Sequence, residues 1–132
     1  MLAMTPEELI ALAREASERA YAPYSRFAVG AALLGRSGRV YSGCNVENVS
    51  YGLSVCAERV AVFKAVSEGE QEFEALAVVT SCGGPPCGAC RQVLAEFGSD
   101  VTVYVADAEG HYRTFTVEDL LPAAFLPGDL PR

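Results

Sequence analysis

Two short cysteine motifs constrain this chain more than any other feature of its sequence. Cys56 is followed by Ala-Glu-Arg, and Cys87 and Cys90 belong to a Pro-Cys-Gly-Ala-Cys segment further along. Together they offer three thiolates to one metal ion, so a fold that uses them must bring two separate segments to one point. Three protein ligands leave zinc one open position, as in catalytic sites, whereas structural sites usually have four. The spacing predicts a catalytic site with one Zn²⁺ per chain.

Two charged residues directly after the first cysteine suit the same chemistry. Glu58 lies two residues after Cys56, where a carboxylate can carry the protons of a water molecule on the metal. Arg59 lies about one helical turn after Cys56, so we expect it to hydrogen-bond the thiolates and withdraw charge from them. Glu58 could instead be an ordinary acid favoured by the dipole of a helix start. The neighbouring cysteines favour the role of proton carrier.

Composition limits the size of the fold and the class of partner. The 132 residues, of which 51% are hydrophobic, are enough for a single domain over 1–132 with one core. A net charge of -7 opposes binding to a phosphate backbone, so we predict a small substrate and no nucleic acid partner. Five cysteines are an odd number, which favours metal binding or free thiols over a set of disulfides.

The sequence shows no pattern typical of export or of membrane insertion. The start, Met1-Leu2-Ala3-Met4, has neither a basic region nor an apolar stretch that would indicate a leader. No segment approaches the roughly 20 apolar residues that a membrane span needs. We therefore predict a cytoplasmic protein with no membrane partner.

Local patterns predict an α/β fold with helices on both faces of a mixed sheet of five strands. Thr5 and Glu8 form a capping box before the first helix, which should end before Pro23. Residues 45–55 have no clear period and are interpreted as a functional loop. The other predicted elements are strands at 27–34, 40–44, 75–80, 101–105 and 112–115, and helices at 57–67 and 88–97, with a last short helix from Thr116. Both cysteine motifs therefore lie at helix N-termini.

The two cysteine motifs resemble the zinc signature of the cytidine deaminase family, in its small three-cysteine form that assembles as homotetramers. Segments 21–33 and 43–48 are similar to the family's substrate-facing segments, and 120–125 is similar to its C-terminal element. The resemblance covers the chain from about residue 5 to residue 125 in family order. It implies a three-layer α/β/α fold and the hydrolytic deamination of cytidine and 2'-deoxycytidine to uridine and 2'-deoxyuridine, in pyrimidine salvage.

The resemblance also implies roles for individual residues. Cys56, Cys87 and Cys90 would bind zinc, and Glu58 would carry protons between water, N3 and the departing amine. The implied substrate contacts are Asn45 and Glu47 on the ribose hydroxyls, Phe27 on the pyrimidine face, backbone groups near Ala57 and Cys87 on the base edge, and Phe125 from a neighbouring subunit closing the pocket. That last role requires an oligomer, and the resemblance implies a homotetramer.

Other interpretations of these residues stay open at this point. Asn45 and Glu47 are common turn residues beside a strand end, and Phe27 and Phe125 would by default belong to the core. A structural zinc site with Cys44, Cys82 or His111 as fourth ligand is the alternative to catalysis. The motifs also occur in deaminases of another cytosine nucleoside, the antibiotic blasticidin S, against which segment 45–48 argues. Segment 80–86 is shorter than in many relatives, which puts the base edge of the pocket in doubt.

Overall fold

Five strands form one mixed sheet in the computed structural model, which describes residues 4–131. The strands lie in the order β2-β1-β3-β4-β5. β1 is antiparallel to both of its neighbours, β3 and β4 are parallel, and β5 is antiparallel to β4. Residues 1–3 and 132 lie outside the described part, so the predictions of a single domain over 1–132 and of no leader rest partly on residues without a structural description.

The elements follow the predicted order with small shifts of their ends. The strands are β1 Gly30–Gly35, β2 Val40–Cys44, β3 Phe73–Val79, β4 Thr102–Ala106 and β5 Tyr112–Thr116. The helices are α1 Pro6–Ser17, α2 Ala57–Ser67, α3 Gly88–Phe97 and α4 Val117–Leu120, with short 3-10 turns at Tyr51–Leu53 and Pro127–Asp129. None of the helices within residues 4–131 is long and apolar enough to cross a membrane.

Helices cover both faces of the sheet, which confirms the three-layer α/β/α prediction. α1 packs its buried Leu9, Ile10 and Ala13 against one face, in a cluster with Ala32 and Ala77. α2 and α3 pack on the opposite face, where the larger apolar cluster lies. The nearly continuous burial of β1 and β3 follows from this double coverage, because a strand covered on both faces has no solvent side.

The helix starts follow local rules. The hydroxyl of Thr5 accepts a hydrogen bond from the backbone of Glu8, whose carboxylate accepts one from the backbone of Thr5, and Thr116 and Asp119 repeat this arrangement at α4. Such reciprocal caps depend only on residues three apart, so the sequence predicts them well. α1 ends at Ser17, before Pro23 as predicted, and the backbone N–H of Tyr21 then donates to the carbonyl of Asn45 at 2.9 Å.

The first strand begins at Gly30 and not at Phe27 as predicted. The side-chain amide of Asn45 takes hydrogen bonds that a neighbouring strand would otherwise make: its Oδ1 accepts from the backbone N–H of Val29 at 2.9 Å, and its Nδ2 donates to the carbonyl of Phe27 at 2.8 Å. Residues 27–29 therefore lie beside the sheet without belonging to it, and Phe27 is 40% exposed. The default expectation that Phe27 belongs to the core is wrong.

A close backbone contact at Gly43 places α2 on the sheet. A Cβ atom at Gly43 would lie 2.5 Å from the carbonyl oxygen of Ala57 and 2.6 Å from the amide nitrogen of Ala61. Both are rigid helix backbone, so the helix could not keep its position with any larger residue on the strand. This contact holds the first turn of α2, and with it Cys56 and Glu58, directly over the end of β2.

Gly43→Ala should therefore displace the start of α2. We expect it to lower the free energy of unfolding by about 1–3 kcal/mol, as overpacking commonly does, and to reduce activity. Gly52→Ala is the matched control, because no atom lies within 4 Å of a Cβ at that position. Urea unfolding measures both variants. Equal stability of the two would contradict the packing argument.

Candidate metal centre and substrate cavity

Two helices begin at the same end of the sheet. The end of β2 is followed by the 45–55 loop and α2, and the end of β3 is followed by the 80–86 segment and α3. Gly30, at the start of β1, pairs with Cys44 and Val79 at the ends of these two strands. The topology therefore places the N-termini of α2 and α3 next to each other, with Cys56 and Cys87 as their N-cap residues.

Three thiols converge where the two helices start. The Sγ atom of Cys87 lies 3.8 Å from that of Cys56 and 3.5 Å from that of Cys90, and all three lie within 4.8 Å of one another. Sulfur ligands about 2.3 Å from a tetrahedral zinc ion would be roughly 3.8 Å apart. The donor chemistry and the spacing both fit one zinc ion.

Charge near the thiols favours the thiolate form at Cys56. Its interaction with the Cys90 thiol and the nearby Arg59 guanidinium lower the pKa of Cys56 to about 5. The same interaction with Cys56, together with burial, raises the pKa of Cys90. Arg59 Nη2 lies 3.6 Å from the Cys56 sulfur, and this hydrogen bond raises the pKa of Arg59. The predicted contact between Arg59 and the thiols is present in the structure.

Glu58 is a buried carboxyl beside these thiols. Only 4% of the residue is exposed, and its Oε1 atom has no hydrogen-bond partner among the described residues. Burial raises the pKa of Glu58 to about 7, and the negative charge of Cys56 acts in the same direction. A buried polar atom without a partner is unfavourable unless a ligand satisfies it. The carboxyl is thus placed to exchange protons with a bound molecule near neutral pH.

Cys56, Cys87 and Glu58 line a cavity of about 290 Å³. Its volume is of the order that a small ligand needs. The lining residues come from four segments of the chain: Ser25, Phe27 and Val29; Asn45 and Glu47; Cys56 and Glu58; and Val78, Thr80, Gly84, Pro85 and Cys87. The structure therefore brings the predicted zinc ligands Cys56 and Cys87, the predicted proton carrier and three of the predicted substrate contacts to one cavity. The third predicted ligand, Cys90, is buried, and its sulfur contacts that of Cys87.

Glu47 lines the cavity and is already hydrogen-bonded. Its Oε1 accepts from the backbone N–H groups of Tyr24 at 3.0 Å and Ser25 at 3.1 Å, and its Oε2 accepts from the hydroxyl of Ser25. The bonds from Ser25 and Tyr24 lower the pKa of Glu47. Glu47 is thus an ionised acceptor facing the cavity. Asn45 similarly keeps free donor and acceptor capacity beyond its two bonds to the 27–29 backbone.

Two of the predicted substrate contacts do not line the cavity with their side chains. Ala57 is fully buried, and its place at the start of α2 leaves its backbone N–H without a partner inside the helix. Phe125 is 60% exposed and lies in a separate groove with Gln92 and Leu130, where the Gln92 side chain donates to its carbonyl at 2.7 Å. Within residues 4–131 of a single chain, Phe125 does not reach the other site residues.

Thr80 is a cavity residue that the sequence analysis missed. It is buried, and its hydroxyl oxygen accepts from the backbone N–H groups of Gly83 at 2.8 Å and Gly84 at 3.0 Å. These bonds shape the short 80–86 segment, in which Gly83 has a φ of 72°. A threonine before two glycines is a signal for such a turn. The turn forms a cavity wall because tertiary packing brings it together with Cys56 and Glu58.

The residues considered as a fourth zinc ligand lie apart from the three thiols. Cys44 donates to the carbonyl of Arg19, and Cys82 is exposed. His111 is paired with Asp107 in the turn between β4 and β5, at 3.2 Å. Among the described residues, the group with metal-ligand spacing contains the three cysteines and no histidine or carboxylate. The structure thus favours a site with an open position.

Comparisons with known proteins agree with this site. A family model described as the zinc-binding region of cytidine and deoxycytidylate deaminases matches residues 4–106. A cytidine deaminase of Sporosarcina psychrophila is 53% identical over 130 residues, with 96% of each chain covered. One from Halalkalibacterium halodurans is 52% identical over 130 residues, which cover 96% of this chain and 98% of that one.

A solved structure is also similar to this chain over most of its length. The crystal structure of cytidine deaminase from Burkholderia pseudomallei superposes with a TM-score of 0.89 at 51% identity, covering 92% of this chain and all of the other. The family model alone spans most of the chain and contains all three cysteines of the metal centre. This chain belongs to the cytidine and deoxycytidylate deaminase family.

Proposed function

We propose that this chain hydrolyses cytidine and 2'-deoxycytidine to uridine and 2'-deoxyuridine, with release of ammonia, in pyrimidine salvage. The observation that carries the proposal is the cluster of three thiols beside a cavity of about 290 Å³, which two of the cysteines and a buried, unpartnered carboxyl line. Family membership and relatives named cytidine deaminase support the same reaction.

The proposed reaction needs a metal ion and one carboxyl group. Cys56, Cys87 and Cys90 would hold a zinc ion, which would act as a Lewis acid and lower the pKa of a water molecule. Glu58 accepts the proton that the water loses as its oxygen bonds to C4, and it donates that proton to N3. Glu58 then accepts the remaining hydroxyl proton and donates it to the exocyclic nitrogen, which leaves as ammonia while the C4 carbonyl forms. A carboxyl with a pKa near 7 is suited to both directions of transfer.

The other cavity residues would hold the nucleoside in place. In the proposed complex Phe27 packs on the pyrimidine face, and Asn45 and Glu47 hydrogen-bond the sugar hydroxyls. The position of Glu47 supports this arrangement, because Tyr24 and Ser25 hold its carboxylate at the cavity wall. Backbone groups near Ala57 and Cys87, at the two helix starts, would read the edge of the base.

We further propose that residues 1–132 act as one domain of a cytoplasmic homotetramer, in which Phe125 closes the cavity of a neighbouring subunit. Phe125 is exposed and lies apart from the cavity of its own chain, so an aromatic side chain is free to contact another copy. The net charge of -7 favours a free nucleoside over a polynucleotide substrate. The tests below distinguish this function from two alternatives, a deaminase of blasticidin S and a zinc protein without catalytic activity.

Glu58→Gln should remove the proton carrier while leaving the thiols intact. We expect the variant to keep its zinc and to lose several orders of magnitude in turnover of cytidine, because one group serves each proton transfer. Loss of ultraviolet absorbance, with ammonia release as a check, measures the rate. Glu68→Gln, at the other end of α2, is the control and should keep full activity. A zinc-loaded wild type that converts no cytidine would contradict the proposed reaction. A Glu58→Gln variant with full activity would contradict the role of Glu58 as proton carrier.

Zinc content should depend on the converging cysteines alone. Cys87→Ala is expected to lose most of the roughly one zinc ion per chain, because two thiolates cannot complete the site. Cys82→Ala is the matched control, since Cys82 is an exposed thiol in the same connecting segment. Metal analysis after dialysis compares the two variants. Equal zinc content in both would contradict the assignment of the ligands.

A mixing experiment tests the contribution of Phe125 across subunits. Phe125→Ala should retain zinc and bind cytidine more weakly, with a raised KM. Co-expression of Phe125→Ala with the inactive Glu58→Gln chain should restore tight binding in mixed oligomers, because Glu58→Gln subunits supply the missing phenyl ring. Sedimentation establishes the number of subunits. A monomer, or mixed oligomers with the KM of Phe125→Ala alone, would argue against closure by a neighbouring subunit.

A further inference from the structure

One serine hydroxyl connects two of the proposed substrate contacts. The hydroxyl of Ser25 donates to Oε2 of Glu47 and accepts from the backbone N–H of Phe27 at 3.0 Å. The backbone N–H of Ser25 donates to the other carboxylate oxygen at 3.1 Å. The carboxylate at the sugar end of the cavity is thereby joined to the residue at its pyrimidine face through a single side chain.

The backbone between these two contacts is in an unfavourable conformation. Arg26, which lies between Ser25 and Phe27, has a φ of 57°, in the left-handed region that residues with a Cβ atom seldom adopt. Its N–H donates to the carbonyl of Ala22 at 2.9 Å. The hydrogen bonds on both sides hold this turn closed. Without the Ser25 hydroxyl, the bond that joins the turn to the Phe27 backbone is lost.

We infer that Ser25 is a positioning residue, which holds the Glu47 carboxylate and the Phe27 backbone, and through that backbone the phenyl ring, at the spacing that a pyrimidine nucleoside requires. The inference rests on the proposed function for the identity of the ligand. Ser25 has one hydroxyl hydrogen, which goes to Glu47, so its main effect on the nucleoside passes through its two partners. The hydrogen bond from Ser25 also helps to keep Glu47 ionised, as the lowered pKa of that carboxyl shows.

The chain contains a second copy of this arrangement away from the cavity. The hydroxyl of Ser37 donates to Glu70, its backbone N–H donates to the same carboxylate at 3.2 Å, and its oxygen accepts from the N–H of Arg39 at 3.3 Å. Ser37 lies in the turn between β1 and β2, and neither it nor Glu70 lines the 290 Å³ cavity. Ser37→Ala therefore removes the same two hydroxyl bonds as Ser25→Ala, at a place outside the cavity.

Steady-state kinetics with cytidine tests the inference. Ser25→Ala should raise KM by about ten- to a hundredfold, in keeping with loss of a hydrogen bond to a charged group, and should change kcat much less. Ser25→Thr keeps the hydroxyl and should restore most of the affinity, whereas Ser37→Ala should match wild type. A Ser25→Ala enzyme with the KM of wild type, or one that loses kcat and zinc together, would overturn the inference.

Two further readouts separate positioning from direct contact. In a Glu47→Gln background, Ser25→Ala should raise KM by a much smaller factor than in wild type, because the two residues act together. 2',3'-Dideoxycytidine lacks the hydroxyls assigned to Glu47. With this nucleoside, the increase in KM caused by Ser25→Ala should also be smaller. The inference would be contradicted if the effects of Ser25→Ala and Glu47→Gln on KM were fully additive and the dideoxynucleoside showed the same increase in KM as cytidine. Ser25 would then contact the nucleoside itself.

Amide hydrogen exchange tests the same geometry without substrate. Ser25→Ala should lose protection at the Phe27 amide, and Ser37→Ala should lose it at the Arg39 amide, each leaving the other amide unchanged. If wild type converts no cytidine, the proposed function fails, while this exchange pattern still decides whether Ser25 holds Phe27. Unchanged protection of Phe27 in Ser25→Ala would contradict the inference directly.

Discussion

The meeting of two helix N-termini at one end of the sheet is the arrangement on which the rest of the site depends. Cys56 and Cys87 cap these helices, and the positive end of a helix dipole favours the thiolate that a metal requires. The close contact of Gly43 with the first turn of α2 holds one helix on the sheet. The parallel pairing of β3 with β4, with α3 crossing between them, places the other beside it. A metal centre follows where neither helix alone could form one.

Burial then gives the carboxyl next to the metal centre its chemical character. Glu58 is in the first turn of α2, as many acidic residues are, but here the turn faces the interior and not solvent. The resulting rise of its pKa is a consequence of packing, because α2 lies against β1 and β2 and beside α3. The same side chain on an exposed helix would be an ordinary stabilising acid.

Hydrogen bonds between side chains and backbone hold the parts of the cavity wall that contain Asn45, Glu47 and Thr80. Asn45 binds the 27–29 backbone, Glu47 binds the Tyr24 and Ser25 backbone, and Thr80 binds the turn at Gly83 and Gly84. None of these segments is a helix or a strand, so no regular ladder fixes their conformation. Polar side chains replace that ladder, and three of them also face the cavity. Two of these residues, Asn45 and Glu47, are also proposed to contact the substrate, whereas Thr80 shapes the wall through the turn that it holds.

By itself, the sequence determined the features that depend on neighbours along the chain: the capped helix starts, the order of strands and helices, the cysteine motifs and the family they indicate. These could be predicted because capping, alternation and ligand spacing involve residues a few positions apart. Only the tertiary structure decided that Phe27 lies outside β1, that Phe125 does not reach the cavity of its own chain, and that Ser25 and Thr80 belong to its walls. The physical reason is that their partners or surroundings are set by packing. Ser25 and Glu47 are 22 positions apart, and the Thr80 turn becomes a wall only because the fold brings it together with Cys56 and Glu58.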